Sequence, residues 1–309
     1  MQSTIKYTCK GLIVPVFTPF LHDSVRTINI DVIPKYADYL KSKNVTSILI
    51  NGTVAEGMTM TAKERKAVAE AWFKQTKKNQ QKLIIQVGGA PLADVKDLAA
   101  HANKLGVSAI LCLPELYYKP HSNQELIQYL KEVSDAAPNT PLLYYHSPSM
   151  TNVTVHVGRF LESVGDQIPT LAGIKITTNL DEGCHALDVD NGRFYVTLGN
   201  NQLITAASVV GIDSFMPSLA NLFPEYVQDM IESCDKNNYA KAKIKQEKLM
   251  RAYERFSEIG YSVASMKAAM PHFSGIDVGP SRKPLPSFED ERGQHEISDL
   301  VRSLSQFMK

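Results

Sequence analysis

The segment 171–176, Leu-Ala-Gly-Ile-Lys-Ile, is the most informative for the fold because it is an apolar run that holds a single lysine. Continuous apolar runs of about four to seven residues are typical of β-strands covered on both faces. Seven other segments have the same character: 11–17, 46–50, 83–87, 109–113, 142–145, 194–198 and 212–216. The sequence therefore predicts eight short, buried strands.

Amphipathic segments separate these runs and predict helices. Apolar residues recur every three or four positions over 30–43, and Gly106 is placed to end a helix over 91–105. Thr61 and Glu64 form a capping-box pattern that opens another helix. The segments after the sixth and seventh strands are short for helices. An alternation of strand and helix predicts parallel strands joined by right-handed crossovers, an α/β fold of the (β/α)8 TIM-barrel class.

The pattern changes after residue 224. A loop rich in Pro and Gly is predicted over 275–288, and helices without intervening strands are predicted over 226–234, 239–260, 263–272 and 297–308. We therefore predict a barrel over 1–224 and a C-terminal helical extension over 225–309 that packs on the barrel and does not fold separately.

Composition excludes several classes of protein. The 309 residues include 33 Lys and Arg against 32 Asp and Glu, a net charge of +1, and 44% of the chain is hydrophobic. This balance predicts no general attraction to nucleic acid or to anionic membranes. The apolar content is too high for a disordered chain. No run of about 18 apolar residues is present, so no membrane span is predicted.

Cysteine and histidine usage predicts neither disulfides nor a metal site. The spacing of the four cysteines gives no Cys-x-x-Cys pair, and no histidine stands at ligand spacing: Cys9, Cys112, Cys184 and Cys234. A metal-dependent aldolase therefore lacks ligands. Scattered free thiols, together with a polar segment 1–10 that is unlike a secretory signal, predict a cytoplasmic protein.

Lys175 is the one lysine at the C-terminal end of a predicted strand, where barrel active sites lie. A lysine amine that loses hydration in apolar surroundings has a lowered pKa and a larger neutral fraction. A neutral amine can attack a ketone and form a Schiff base. The alternative, a lysine that extends from the barrel rim to water, stays open on position alone.

Hydroxyl side chains stand at neighbouring strand ends. Side chains alternate along a strand, so either Tyr144 or Tyr145 faces the barrel interior. A phenol there could move a proton on a bound substrate, and Thr53 and Tyr117 could relay that proton. Taken singly, Thr53 and Tyr117 are each better explained as structural hydrogen-bonding residues. The small-residue turn 52–57 could hold a carboxylate on its backbone N–H groups, with Glu56 closing the turn on backbone atoms.

Four segments together resemble the N-acetylneuraminate lyase and dihydrodipicolinate synthase family of class I, Schiff-base aldolases. Asn-Gly-Thr-Val-Ala-Glu-Gly at 51–57 is similar to that family's G-[ST]-T-G-E loop, and Tyr-His-Ser-Pro at 145–148 to its Y-x-x-P. Gly-Ile-Lys at 173–175 is similar to its G-x-K, and 279–284 to its G-x-x-R-x-P. The resemblance covers nearly the whole chain and is greatest to animal-type sialic acid lyases.

The resemblance implies roles for these residues and no cofactor. Lys175 would form an imine with the C2 ketone of a 2-oxo acid such as pyruvate, and Tyr145 would move the proton of the C4 hydroxyl as the C3–C4 bond breaks or forms. Thr53 and Tyr117 would belong to the proton relay. Tyr117 would reach into the site of a neighbouring subunit, which implies a homotetramer or at least a dimer.

The same resemblance implies a binding pocket for the 2-oxo acid and an aldehyde or sugar. The backbone of Thr53 and Val54 would hold the carboxylate. The remaining pocket residues would contact the rest of the substrate: Thr177, Gly199, Asn201, Gln202 and Ser218.

Five positions depart from the family pattern. Val54 replaces a threonine, and one hydrogen bond to a charged group is worth about 1.5–3 kcal/mol, so we expect weaker 2-oxo acid binding. Ala55 replaces a glycine and should avoid positive φ. Asn201-Gln202 replaces the Asp-Glu pair that binds the sugar's glycerol tail in sialic acid lyases, so altered tail specificity is predicted. Pro217 replaces a glycine and stiffens the wall before Ser218.

These observations leave three functions open. The first is a sialic acid lyase-like aldolase with altered tail specificity. The second is a 2-keto-3-deoxy sugar acid aldolase, and the third is a barrel that binds a sugar or 2-oxo acid without turnover. Dihydrodipicolinate synthesis itself is disfavoured, because no arginine directly follows the fifth predicted strand and Arg159 lies in the next helix.

Overall fold

The computed structural model of the chain describes residues 5–308, and a closed barrel of parallel strands forms its centre. The strands are β1 (Gly11–Leu12), β2 (Val14–Pro15), β3 (Ser47–Ile50), β4 (Lys82–Gln86), β5 (Ala109–Cys112), β6 (Leu142–Tyr145), β7 (Leu171–Ile176), β8 (Tyr195–Leu198) and β9 (Ser214–Phe215). The sheet order is β1-β9-β8-β7-β6-β5-β4-β3-β2. The predicted (β/α)8 TIM barrel with C-terminal helices is therefore confirmed.

The first predicted strand closes the barrel in two pieces. β1 pairs with β9, whereas β2, after the single intervening residue Ile13, pairs with β3. The prediction of one continuous strand over 11–17 was wrong in this detail. One short segment must bridge the two ends of a twisted sheet, so each half pairs with a different neighbour.

Helices follow the strands and cover the barrel. They are α1 (Ile33–Ser42), α2 (Ala62–Asn79), α3 (Leu92–Leu105), α4 (Asn123–Ala136), α5 (Pro148–Thr151), α6 (Val157–Val164), α7 (Leu180–Asp188) and α8 (Ile204–Val209). The capping box of Thr61 and Glu64 opens α2, and Gly106 ends α3 with a φ of 70°. The first predicted helix instead begins with a 3₁₀ turn, Ile30–Val32.

Four further helices follow the last strand: α9 (Pro224–Asp235), α10 (Tyr239–Glu258), α11 (Ser262–Ser274) and α12 (Glu291–Phe307). α12 begins six residues before the predicted start at Ile297, because the Asp290 side chain caps it by accepting from the Gly293 N–H. α11 contacts the 3₁₀ turn Ser218–Asn221 that follows β9. The boundary between barrel and extension at residue 224 stays a prediction. None of the helices within residues 5–308 is long and apolar enough to cross a membrane.

Buried side chains form an outer and an inner core. The outer core lies between strands and helices and includes Trp72, Tyr144 and Phe160. The inner core fills the barrel axis with Ile13, Leu49, Ile84, Leu111, Leu143 and Met216, among others. The site described below opens above this inner layer, at the C-terminal ends of the strands.

Candidate active site

A cavity of about 260 Å³ opens at the C-terminal ends of the strands. Its walls come from the loops after β3, β6, β7 and β8, from the turn after β9, and from α10 and α11. Among the described residues that line it, none is Asp or Glu. Within residues 5–308, no three His, Cys, Asp or Glu side chains are grouped to hold a metal ion.

A β-bulge turns Lys175 into this cavity. Leu142 pairs with Leu171 and Leu143 pairs with Gly173, so Ala172 is the extra residue on β7. The lysine is 5% exposed, and its Nζ lies 3.9 Å from the centroid of the Tyr145 ring. The position favours a partly dry amine over one that extends from the rim to bulk water.

Tyr145 faces the barrel interior and Tyr144 faces the helices, which confirms the predicted alternation. The Tyr145 hydroxyl lies 3.4 Å from Thr53 Oγ1. Burial raises the pKa of Tyr145, but the charge of Lys175 and hydrogen bonds with Thr53, Lys175 and Ser147 outweigh it. The net pKa of this phenol is therefore lower than usual, so a larger fraction of it is ionised and able to accept a proton near neutral pH.

The loop 52–57 forms one wall of the cavity with its residues 52–55 and is held by its own backbone hydrogen bonds. Gly57 N–H donates to the Gly52 carbonyl and Glu56 N–H donates to the Thr53 carbonyl. Thr53, Val54 and Ala55 line the cavity. Ala55 is absent from the positive-φ residues among the described part of the chain, as predicted, whereas Glu56 has a φ of 56°. The loop can thus present backbone atoms to a substrate.

The opposite wall carries the predicted tail-binding residues in two different states. Asn201 Nδ2 donates to Ser218 Oγ at 2.9 Å, and Asn201 Oδ1 accepts from the Leu219 N–H at 3.0 Å. Both polar ends of Asn201 are therefore occupied within the protein. The Gln202 residue lines the cavity, and its side-chain amide has no hydrogen-bond partner in the described part of the chain, whereas its backbone N–H donates to Asn200 Oδ1. Thr177 and Gly199 complete this wall.

Sequence reasoning missed the contribution of the C-terminal extension. Tyr253 of α10 and Tyr261, Val263 and Met266 around α11 line the cavity. The pKa of Tyr261 is raised by burial, with smaller effects of Tyr253 and Tyr145. A usable signal was the pair of tyrosines on either side of the helix break at Gly260, but the extension was interpreted only as packing.

Tyr117 lies outside the cavity of its own chain. It is 82% exposed, packs edge-on against Tyr118 with ring centroids 4.9 Å apart, and lines a separate cleft. The fold brings Lys175, Tyr145 and Thr53 together but leaves this fourth predicted catalytic residue on the surface. Its delivery to a neighbouring subunit stays a prediction.

Comparison with known proteins gives consistent matches. The profile of the dihydrodipicolinate synthetase family matches residues 8–304. The chain is 36% identical over 278 residues to N-acetylneuraminate lyase A of Xenopus laevis, covering 89% of this chain and 90% of that protein. It is 33% identical over 283 residues to N-acetylneuraminate lyase of Mus musculus, covering 91% and 88%. The solved structure of N-acetylneuraminate lyase from Aliivibrio salmonicida has a TM-score of 0.90 at 28% identity, covering 97% of this chain and 98% of that one.

Proposed function

Since this chain belongs to the dihydrodipicolinate synthetase family, we propose that it is a carbon–carbon lyase that works as a sialic acid lyase-like class I aldolase. It forms a Schiff base between Lys175 and a 2-oxo acid. The observation that carries the proposal is the placement of Lys175 Nζ 3.9 Å from the Tyr145 ring in a cavity at the C-terminal end of the barrel.

The chemistry begins with the neutral amine of Lys175 attacking the C2 carbonyl, and loss of water gives an imine. Tyr145 then takes the proton of the C4 hydroxyl, the C3–C4 bond breaks, and an aldehyde leaves. The imine nitrogen carries a proton at this stage, so the electron pair of the broken C3–C4 bond moves into a protonated imine and gives a neutral enamine. Protonation of the enamine and hydrolysis release pyruvate and restore the amine. The lowered pKa of Tyr145 supports its part as proton acceptor.

The carboxylate of the 2-oxo acid is held by the backbone of Thr53 and Val54. Both residues line the cavity at the end of β3. Val54 offers no hydroxyl, so one hydrogen bond that a threonine would give is missing, and we expect weaker pyruvate binding.

Specificity for the rest of the substrate rests on Gln202. The side-chain amide of Asn201 forms hydrogen bonds within the protein. Gln202 is therefore the tail-binding position whose side-chain amide has no hydrogen-bond partner in the described chain. A side-chain amide can form hydrogen bonds with neutral groups of a substrate and does not repel a carboxylate. The absence of Asp and Glu among the described lining residues favours, as a second candidate, cleavage of a 2-keto-3-deoxy sugar acid.

Assembly and location belong to the same proposal. A cleft of about 390 Å³ opens beside Thr53 and Met150 at the edge of the site, where the exposed Tyr117 of a second subunit could enter. A homotetramer or dimer would thus complete the proton relay. The four cysteines are unpaired, which supports a cytoplasmic location.

The test is pyruvate release measured by a lactate dehydrogenase coupled assay. N-acetylneuraminate and a panel of 2-keto-3-deoxy sugar acids serve as substrates, with Lys175→Ala and Gln202→Ala as variants. We expect turnover of at least one substrate, a loss of about 10³-fold or more in Lys175→Ala, and an altered order of preference in Gln202→Ala. Equal turnover by wild type and Lys175→Ala contradicts the proposal. Binding without turnover by wild type would identify a non-catalytic barrel.

A further inference from the structure

A fully buried ion pair joins the wall of the active site to the C-terminal extension. Lys267 Nζ, on α11, lies 2.6 Å from Glu56 Oε1, and neither side chain is exposed to solvent. Glu56 belongs to the loop 52–57, whose residues 52–55 line the cavity. The mechanism proposed above uses neither residue chemically, so the pair needs another explanation.

The extension holds Glu56 in a conformation that its own backbone disfavours. Its φ of 56° is in the left-handed region, which residues with a Cβ seldom adopt. The carboxylate is fixed twice from outside the loop, by Lys267 Nζ and by the Arg282 N–H, which donates to Oε2 at 2.7 Å. This left-handed residue is thus maintained by contacts with the extension.

The loop has no room to relax around this point. A Cβ at Gly57 would lie 1.9 Å from the Asn51 carbonyl oxygen, so the chain doubles back tightly on the end of β3. Thr18 Oγ1 donates to the Ala55 carbonyl at 2.6 Å and fixes the middle of the loop from another side. A displacement of Glu56 would therefore be transmitted along the loop.

A continuous series of contacts leads from the ion pair to the reacting lysine. The Glu56 N–H donates to the Thr53 carbonyl at 3.1 Å, and Thr53 Oγ1 lies 3.4 Å from the Tyr145 hydroxyl. The Tyr145 ring contacts Lys175 Nζ. The backbone proposed to hold the substrate carboxylate lies in the middle of this series.

The surroundings of the pair are dry. Lys267 Nζ lies 4.1 Å from the centroid of the Phe20 ring, and the Arg282 guanidinium lies 4.6 Å from the same ring. Burial lowers the pKa of Lys267, although Glu56 opposes this effect. A hydrogen bond between charged groups is strong in such an environment, and the geometry that it fixes is correspondingly rigid.

We infer that Glu56 and Lys267 are a positioning pair by which α11 sets the Thr53–Val54 backbone for the carboxylate of the 2-oxo acid. The inference rests on the proposed function. Met266, the residue before Lys267, lines the cavity itself, so the same helix forms a wall of the site and fixes the binding loop. A positioning role affects how tightly pyruvate is held more than how fast the bound imine forms.

The test is a pyruvate titration followed by borohydride trapping, with the fraction of adduct quantified by intact mass. The main variant, Glu56→Gln/Lys267→Met, removes both charges together and keeps side chains of similar length. Glu56→Gln alone keeps an acceptor for Lys267 and carries the same test if the double variant does not fold. Leu249→Ala, a fully buried residue of α10 outside the cavity, is the control for general destabilisation.

We expect the pyruvate concentration at half-maximal trapping to rise about tenfold in the double variant, with the saturated trapping rate within about twofold of wild type. Leu249→Ala should lower the thermal midpoint without this rise. An unchanged half-maximal concentration in a folded variant overturns the inference, as does an equal rise in Leu249→Ala. A wild-type chain that forms no adduct overturns both this inference and the proposed function.

Discussion

Gly199 determines how much space the reacting lysine has. A Cβ at this position would lie 2.2 Å from Lys175 Cε, far inside van der Waals contact. In Gly199→Ala we therefore expect the lysine to move from its place beside Tyr145. Misplacement of a reacting group by about 1 Å can cost about 10²-fold in rate. Borohydride trapping of pyruvate should slow by about ten- to hundredfold, and an unchanged trapping rate would show that the lysine has more freedom than the structure gives it.

Tyr145 should ionise at a lower pH than an ordinary phenol. Burial raises its pKa. The positive charge of Lys175 and hydrogen bonds to the hydroxyl lower the pKa by more than burial raises it, so the net value is below the usual 10.0. The difference between ultraviolet titrations of wild type and Tyr145→Phe isolates this group. We expect tyrosinate to form below pH 10 in wild type. In Lys175→Met only the burial and the neutral hydrogen bonds remain, so the transition should move upward. A transition that stays in place would remove Lys175 as the cause.

His146, at the end of β6, makes the stability of the fold depend on pH. Burial lowers its pKa from 6.5 to about 4, and its Nδ1 lies 3.2 Å from the Tyr144 hydroxyl. Between pH 6.5 and about pH 4, His146 binds a proton in the unfolded chain but not in the folded chain. The free energy of unfolding therefore keeps its full value above pH 6.5 and decreases as the pH falls toward 4. The maximum loss is about 3 kcal/mol. Denaturant unfolding of His146→Gln should show a smaller loss over this range, and an equal loss would assign the effect to other groups.

The strand and helix pattern could be predicted from sequence because apolar runs and helix caps are local signals. The orientation of Lys175 could not be predicted in this way, because a strict alternation of side chains along the strand takes no account of the bulge at Ala172. The break of the first strand at Ile13 has a similar cause, because it depends on which neighbours close the barrel. Local patterns predict the elements, whereas their registers follow from the assembled sheet.

At the scale of the molecule, the site is built from parts that are distant in sequence. Tyr253 and Tyr261 form a wall of the cavity, but the helix break between them at Gly260 does not by itself show that they face the barrel. Their role depends on how α10 and α11 pack over the barrel. For Asn201 the sequence predicted a role in substrate binding, but the structure shows its side-chain amide hydrogen-bonded to Ser218 and Leu219.

Tyr117 gives a test of the assembly. If it completes the site of a neighbouring subunit, Tyr117→Phe and Lys175→Ala are each impaired, but mixed oligomers contain sites with both residues intact. We therefore expect pyruvate release to recover when the two variants are mixed under conditions that allow subunit exchange. Recovery should be absent when either variant is cross-linked before mixing. A mixture with no more activity than the sum of its parts would place Tyr117 outside the catalytic relay.

The central claim is that Lys175 forms the Schiff base, and peptide mapping of the borohydride-trapped pyruvate adduct tests it most directly. We expect one stable adduct, located on the peptide that contains Lys175 and absent from Lys175→Ala. Lys267, although buried and close to the loop, should remain unmodified because it is paired with Glu56. An adduct on any other lysine, or none with either pyruvate or N-acetylneuraminate, would contradict the account.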